Sequence, residues 1–597
     1  MVKRPLDLFI VFLCVGGALL ATTLVAASFF IGYAPSLEET TIPPLEEDPQ
    51  LPAAQGPPFF REVENSGIDF TYRNGEEANH SALLETVGGG VGLLDYDGDG
   101  KRDVFLTGGG GFAGPEKKSI VGRPCKLYRN LGGCKYQDVT KEVGLERFPW
   151  DTFYTHGVAV VDYDRDGWPD LLVTGWGRVA LFHNEPAARA GPTKGRTFVD
   201  ATEQAGLKDI AWATSAAWAD FDGDGYPDVY LCQYTDWSWG HHPWCRLPRD
   251  VCPPQMFSGL PHKLFANNGN GTFRDVSTKA GVCAGGPNAG KGLGVLAVDV
   301  NSDGKPDVYV CNDKTGNLLY MNRCSPGHFR FEEVGEWSGT ARDAQGGTTG
   351  SMGVDAADYD GCGRPSLWVS NFEREEHALY HNDCRDGQIL FRHVSASSGI
   401  GAVGMRRVGW GAAFLDLDHH GWQDIVFVNG HVYRNPTSGN TRQQTPVILR
   451  NQGDGTFLNL SAQGGAYFQH RHLARGVGFG DLDNDGRIDA IISHINEPAV
   501  VLRNVAEAQG RHWLGVELVG KDHADIVGAR LILECGGRTQ MRFAKGGGSY
   551  LSSSDHRSVF GLGEATKIDR FTVIWPNGGR QEAHALKIDS YNRIVQE

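Results

Sequence analysis

Nine residues, Asp95-Tyr96-Asp97-Gly98-Asp99-Gly100-Lys101-Arg102-Asp103, place carboxylates at positions 1, 3, 5 and 9 and glycine at position 6. A hard cation such as Ca²⁺ takes six to eight oxygens, and a tight loop with alternate side chains turned inward supplies them. Gly100 permits the sharp turn that brings Asp103 back to the same point. The spacing recurs at Asp162, Asp164, Asp166 and Asp170, and at Asp220, Asp222, Asp224 and Asp228. It recurs again at Asp299, Asn301, Asp303 and Asp307, and at Asp481, Asp483, Asp485 and Asp489. Two further copies are degraded. Asp358-Tyr359-Asp360-Gly361-Cys362-Gly363 ends in Ser366, and Asp416-Leu417-Asp418-His419-His420 keeps Asp424 but has histidine at position 5. One such loop would pass for a surface Asp/Gly turn. Seven in register form an internal repeat. We expect about five structural Ca²⁺ ions in the intact loops, with Asp416, Asp418 and Asp424 a weaker metal site.

The elements that must hold these loops repeat at intervals of 58 to 79 residues. Each unit has an apolar run with a small residue, as in Gly90-Val91-Gly92-Leu93-Leu94, then the Asp loop, then a β-rich run such as Val308-Tyr309-Val310. A Leu-Tyr/Phe-x-Asn element follows, as in Leu127-Tyr128-Arg129-Asn130, and a strand like Phe273-Arg274-Asp275-Val276 closes the unit. Four short strands per unit predict an all-β fold, a seven-bladed β-propeller over residues 58–504. Gly90, Gly157, Ser215, Gly294, Gly353, Gly411 and Gly476 stand five residues before the loops, where inner strands converge on the axis. The last unit lacks its closing strand, and Phe60-Arg61-Glu62-Val63 near the start has the matching pattern. That strand is expected to complete the blade of Asp481 and leave no open edge.

The ends differ. Met1-Val2-Lys3-Arg4 precedes an uncharged apolar run from Leu8 to Tyr33. This predicts an N-terminal transmembrane helix over residues 1–33 that anchors the protein in a membrane. The rival is a signal peptide cleaved after Val25-Ala26-Ala27, giving a secreted chain. Either way the bulk is expected outside the cytoplasm. Residues 34–57 read as a Pro/Glu-rich tether. Residues 511–597 carry alternating apolar runs and read as a small β domain.

The formal charge of −16 and the lack of a basic stripe argue against a nucleic-acid partner. Of twelve cysteines, Cys232 and Cys311 fall within strands and read as small buried thiols. Cys125/Cys134 and Cys245/Cys252 are the disulfide candidates. The longest interval holds Trp237, Trp239, His241, His242 and Trp244. These residues either form a contact surface or pack over the propeller face. Asn429-Gly430-His431 reads as a turn with a capping histidine, or else as a site residue.

The run 273–282, the run 475–486, and Ile526-Val527-Gly528-Ala529-Arg530, Gly548-Ser549-Tyr550-Leu551-Ser552 and Phe560-Gly561-Leu562-Gly563 resemble the cartilage acidic protein / ASPIC-UnbV family. The repeats resemble FG-GAP (VCBS, integrin-α-like) repeats. The resemblance implies an exported, Ca²⁺-stabilised propeller used in binding or adhesion. The expected partner is a protein or glycan at the propeller face or the aromatic loop, beside the membrane. The alternative is a polysaccharide lyase or hydrolase, with Glu85, His156, Arg406, Arg407 and Arg475 at one mouth of the channel. No nucleophile–base pair is evident, so no catalytic residue is assigned.

Overall fold

The computed structural model describes residues 56–187, 195–245, 248–282, 290–436 and 439–597. Residues 56–436 and 441–597 fall within one compact unit, leaving the masked positions aside. The first blade is the antiparallel sheet Val91–Leu94, Asp103–Leu106, Lys126–Gly132 and Lys135–Asp138. Five more four-strand units repeat it, with inner strands Tyr154–Val161, Ala213–Ala219, Gly292–Val298, Ser351–Ala357 and Gly409–Leu415. The seventh joins Ala474–Gly480, Asp489–His494 and Val500–Asn504 to Phe60–Glu62. Phe60 pairs with Asn504 and Glu62 with Leu502. The inner strands touch one another in cyclic order, and Val91–Leu94 meets both Tyr154–Val161 and Ala474–Gly480. The circle of sheets is therefore closed, and apolar side chains fill the spaces between neighbouring blades.

The fold departs from expectation in one element. No transmembrane helix is found: among the described residues no helix is long and apolar enough to cross a membrane. The α-helices there are single turns of four residues, and Thr202–Ala205 and Ser277–Ala280, for example, are each stopped by a left-handed glycine. The expected anchor, 1–33, and residues 34–55 of the tether lie outside the described residues.

The tail forms two small sheets. His512–Val519 lies between Ser558–Gly563 and Tyr591–Val595, and Arg530–Cys535 lies between Arg538–Phe543 and Arg570–Ile574. Leu514, Leu531, Leu533, Phe560 and Val573 make its core.

Between these sheets, residues 546–556 leave the tail and run along the propeller axis. Gly546 and Gly547 pair with Ala297 and Leu296. The Val354 amide donates to Ser549 O at 3.0 Å and the Val158 amide to Leu551 O at 2.9 Å. On the far side, Ser553 and Val91 bond through amide and carbonyl at 2.9 Å. Most inner strands bulge beside this segment, between Thr155 and Val158 or Ser351 and Val354 for example, and the bulge frees an amide to bond it. A Cβ at Gly90 would lie 1.8 Å from Leu551 O. The small residues before the loops are thus small because a second piece of backbone occupies the axis.

Candidate metal loops and the occupied channel

Each Asp loop joins the inner strand of a blade to the next strand. In the first, the Asp99 amide donates to Asp95 Oδ1 at 2.9 Å and the Gly100 amide to Asp95 Oδ2 at 2.8 Å. Gly100 has φ of 82°, and its counterparts Gly167, Gly225, Gly304 and Gly486 are also left-handed, which glycine adopts at little cost. The position-9 carboxylate is buried at the base. Asp103 Oδ2 accepts the Tyr96 amide at 3.2 Å and Oδ1 the Asn130 amide at 2.7 Å. Asp170, Asp228, Asp307 and Asp489 repeat both bonds. The structure therefore brings together the expected residues of each intact loop: 95/97/99/103, 162/164/166/170, 220/222/224/228, 299/301/303/307 and 481/483/485/489.

Burial holds the carboxyls of Asp103, Asp170, Asp228, Asp307 and Asp489 well above the usual carboxylate range. Asp162 and Asp220 are pushed up to about 7, and Asp299 and Asp481 to about 6, by burial first and then by neighbouring carboxylates. This donor set, all oxygen and crowded with negative charge, fits a hard divalent cation.

The residue before the third-strand asparagine sorts the loops. It is Ala266 in the third blade and Met321 in the fourth, so it brings no charge. In the first, Arg129 Nε lies 2.8 Å from Asp97 Oδ2, and in the seventh Arg503 Nε lies 2.6 Å from Asp483 Oδ2. In the second, His183 Nε2 is 3.0 Å from Asp164 Oδ2. The sixth loop goes further. His420 Nδ1 sits 2.8 Å from Asp416 Oδ1 and 3.2 Å from Asp418 Oδ1, while Arg450 Nη1 reaches Asp418 at 2.8 Å and Asp424 at 3.4 Å. Burial opposes charge on His420, but its bonds to Asp416 and Asp418 outweigh that and raise it to about 10. The weaker expected site at Asp416, Asp418 and Asp424 thus contains two cationic side chains of its own.

The asparagine has a second role that the sequence pattern did not disclose. Asn184 Nδ2 donates to Tyr96 O of the preceding blade at 3.0 Å. Asn267, Asn322, Asn382, Asn451 and Asn504 do the same to Tyr163, Phe221, Val300, Tyr359 and Leu417, and Asn130 to Leu482. Every Asp loop is thereby fastened to the next blade.

The tail docks on this side of the propeller. Tyr591 donates to Asp481 Oδ2 at 2.8 Å, the Asp220 amide to Asp525 Oδ2 at 2.8 Å, and Arg102 Nε to Asp555 Oδ1 at 2.9 Å. A cavity of about 710 Å³ remains between propeller and tail, lined by Asp162, Asp355, Lys545 and His556 among others. At the opposite mouth, Tyr550 closes the axis and donates to Val87 O at 3.0 Å. With Tyr234, Phe372, Trp410 and Tyr433 it lines a small aromatic pocket.

The residues considered for catalysis are held structurally. Glu85 accepts the Ala82 amide at 3.0 Å and pairs with Arg434. His156 Nδ1 lies 3.1 Å from Gly88 O, Arg407 donates to Val403 O, and Arg475 donates to the carbonyls of Thr86 and Gly430. Arg406 also makes contacts within the fold.

Of the aromatic loop, Trp237 is buried and Trp239 donates to Lys118 O at 2.6 Å, so these pack over the face, while Trp244 is exposed. Cys245 and Cys252 form a disulfide, and Cys232 and Cys311 are free and buried. The candidate pair Cys125/Cys134 is not bonded, because each thiol is buried in a different apolar cluster. His431 Nδ1 accepts the Tyr433 amide at 3.0 Å, the capping arrangement of a turn.

A ring of like sheets, each with an Asp loop at the same edge, defines a class of repeat propellers. The FG-GAP-like repeat model matches residues 95–173, 162–231, 261–310, 299–369 and 416–492, together more than half of the chain, and the ASPIC and UnbV model matches 520–597. The chain belongs to the FG-GAP-like repeat family and ends in an ASPIC and UnbV domain. It is homologous to mouse cartilage acidic protein 1, 27% identical over 571 residues, covering 93% of this chain and 79% of the relative. The human protein of the same name is 26% identical, covering 88% and 74%. Similar solved structures include an Agrocybe aegerita lectin for terminal N-acetylglucosamine, with TM-score 0.35, 13% identity and coverage of 69% and 87%. A Bacillus licheniformis rhamnogalacturonan lyase has TM-score 0.30, 13% identity and coverage of 88% and 92%.

Proposed function

We propose that this is a non-catalytic binding or scaffold protein that works outside the cytoplasm, its propeller held by about five structural Ca²⁺ ions. The observation that carries the metal assignment is the fourth loop. Asp299, Asp303 and Asp307 converge there with backbone amides already bonded to them, and Met321 supplies no counter-charge. Ca²⁺ would be held by Asp299, Asn301, Asp303 and Asp307, and by the equivalent residues of the other intact loops; it would join adjacent strands electrostatically. The Cys245–Cys252 disulfide supports an oxidising compartment.

Because the tail covers the Asp-loop side and fills the axis, the opposite mouth is the available binding face. Tyr433 and the exposed Trp244 are its aromatic contacts, for a protein or glycan ligand. A wide panel of glycans and polysaccharides, scored for both binding and product formation, tests this reading. It predicts binding that Trp244→Ala and Tyr433→Ala weaken, with no product. Turnover of a polysaccharide would replace it with an enzyme.

A further inference from the structure

The fifth loop has lost what a hard cation needs. Position 5 is Cys362 and position 9 is Ser366, whose hydroxyl accepts the Asn382 amide at 3.1 Å as the aspartates do elsewhere. Yet the loop retains a different donor set. One oxygen of Asp360, the Cys362 sulfur and one ring nitrogen of His381 all lie within 4.8 Å of one another. His381 Nε2 is 2.7 Å from Asp360 Oδ2.

The outer side of the histidine is also built. His381 Nδ1 lies 3.1 Å from Asp383 Oδ1. Arg392 pairs with that same carboxylate, and its Nη2 is 3.2 Å from Nδ1. In the tautomer that donates Nδ1–H to Asp383 the Nε2 lone pair faces inward, the arrangement that orients metal-binding histidines. The cysteine is also less enclosed than the rest. Among the described free cysteines, Cys362 alone is part-exposed, and the other seven are buried.

Oxygen, sulfur and nitrogen together suit Zn²⁺ and similar thiophilic divalent ions, whereas Ca²⁺ is bound by oxygen. The second blade makes a useful contrast. Asp164, Asp166 and His183 cluster in the same place, and His183 Nδ1 is 3.3 Å from Glu185, but that loop keeps all four aspartates and has no thiol. We propose that the fifth loop is a site for a thiophilic divalent cation of the Zn²⁺ class, ligated by Asp360, Cys362 and His381, with a fourth position open to water. Binding releases the thiol proton to solvent as the thiolate takes the metal. The site stands apart from the Ca²⁺ loops and does not depend on them.

Purified protein saturated with Ca²⁺ would be titrated with Co²⁺ as a spectroscopic stand-in. The expected result is one equivalent of Co²⁺ with thiolate-to-cobalt charge-transfer absorption, displaced by Zn²⁺. Cys362→Ser abolishes the absorption, Asp383→Asn weakens binding by about 10- to 100-fold, and His381→Ala weakens it further. Asp307→Asn in the fourth loop leaves it unchanged, so failure of the Ca²⁺ reading would not mimic failure here. In a second readout, Zn²⁺ slows alkylation of Cys362 in the parent protein but not in His381→Ala. Absence of the charge-transfer band, its persistence in Cys362→Ser, or alkylation indifferent to Zn²⁺ would overturn the assignment.

Discussion

The fourth and sixth loops are the same turn solved in two ways. Asp299, Asp303 and Asp307 stand over Met321, which brings no charge, and on the proposed reading an external cation balances them. Asp416, Asp418 and Asp424 stand around His420 and Arg450, and the cation is part of the chain. Both loops keep the buried position-9 aspartate and the asparagine fastened to the preceding blade. What the repeat demands is therefore positive charge at one point of each blade edge. On the proposed reading a metal ion supplies it in the intact loops, helped by side chains in some, and side chains alone supply it in the sixth.

The largest expected effect of breaking this comparison is removal of the metal. Binding to the native state alone stabilises by about 2.7 kcal/mol per site when free Ca²⁺ is 100-fold above Kd. Losing five such sites from a propeller of this size should lower Tm by roughly 10–15 °C, restored by Ca²⁺. Calorimetry with and without chelator measures this.

Next in size is the sixth loop. His420→Ala or Arg450→Met leaves buried carboxylates uncompensated, at a cost of about 3 kcal/mol. That loss should be the same with or without chelator, and a loss that appears only in Ca²⁺ would refute an internal cation. The folded-state value of about 10 for His420 lies above its unfolded value. Its contribution is therefore full below about pH 6.5 and lost as pH rises through about 10. Titration of the His420 ring by NMR checks this.

The metal-free intact loops have the opposite chemistry, since Asp162 and Asp220 near 7 and Asp299 and Asp481 near 6 are raised carboxyls. The folded state then holds more protons than the unfolded one. Chelated protein should lose stability as pH rises from about 4 to 7, a slope that Ca²⁺ abolishes. Thermal melts across that window would show it. Converting one solution towards the other is a finer test. Met321→Arg places a guanidinium where Arg503 stands and should reduce Ca²⁺ affinity at the fourth loop, read by isothermal titration. The smallest effect on Ca²⁺ is at the fifth loop, where Ser366→Ala should remove no ion and cost about 1 kcal/mol, because it leaves the buried Asn382 amide without its acceptor.

The blades and their loops were legible because each is local. Position 1 to position 9 spans one turn, and four strands follow one another in sequence. Even the closing strand Phe60–Glu62 could be inferred, since a missing element and a matching one appear in the same chain. The axial segment was not legible. Gly548 to Ser553 bonds inner strands hundreds of residues away, largely through backbone groups that carry no sequence signature. The conserved spacing of Gly90 and its counterparts showed that something must be close, and convergence of strands was only part of it. The clasp made by Asn130 and its six counterparts was visible as a motif, but its acceptors are carbonyls of the preceding blade. Trp237 and Trp239 could be read equally as a contact surface or as packing over the face, because apolar rings in a loop give no sign of what lies beneath them. The side chains before the asparagines, which separate the loops by their own charge, stand on a different strand from the aspartates. Their effect emerges only when the sheet brings both to one edge.

Counting bound calcium tests the account most directly. Protein equilibrated with millimolar Ca²⁺ and freed of excess should carry about five ions by metal analysis. Asp307→Asn should carry one fewer, and His420→Ala the same number as the parent. Protein that carries no Ca²⁺ under those conditions, and melts identically with and without chelator, would contradict it.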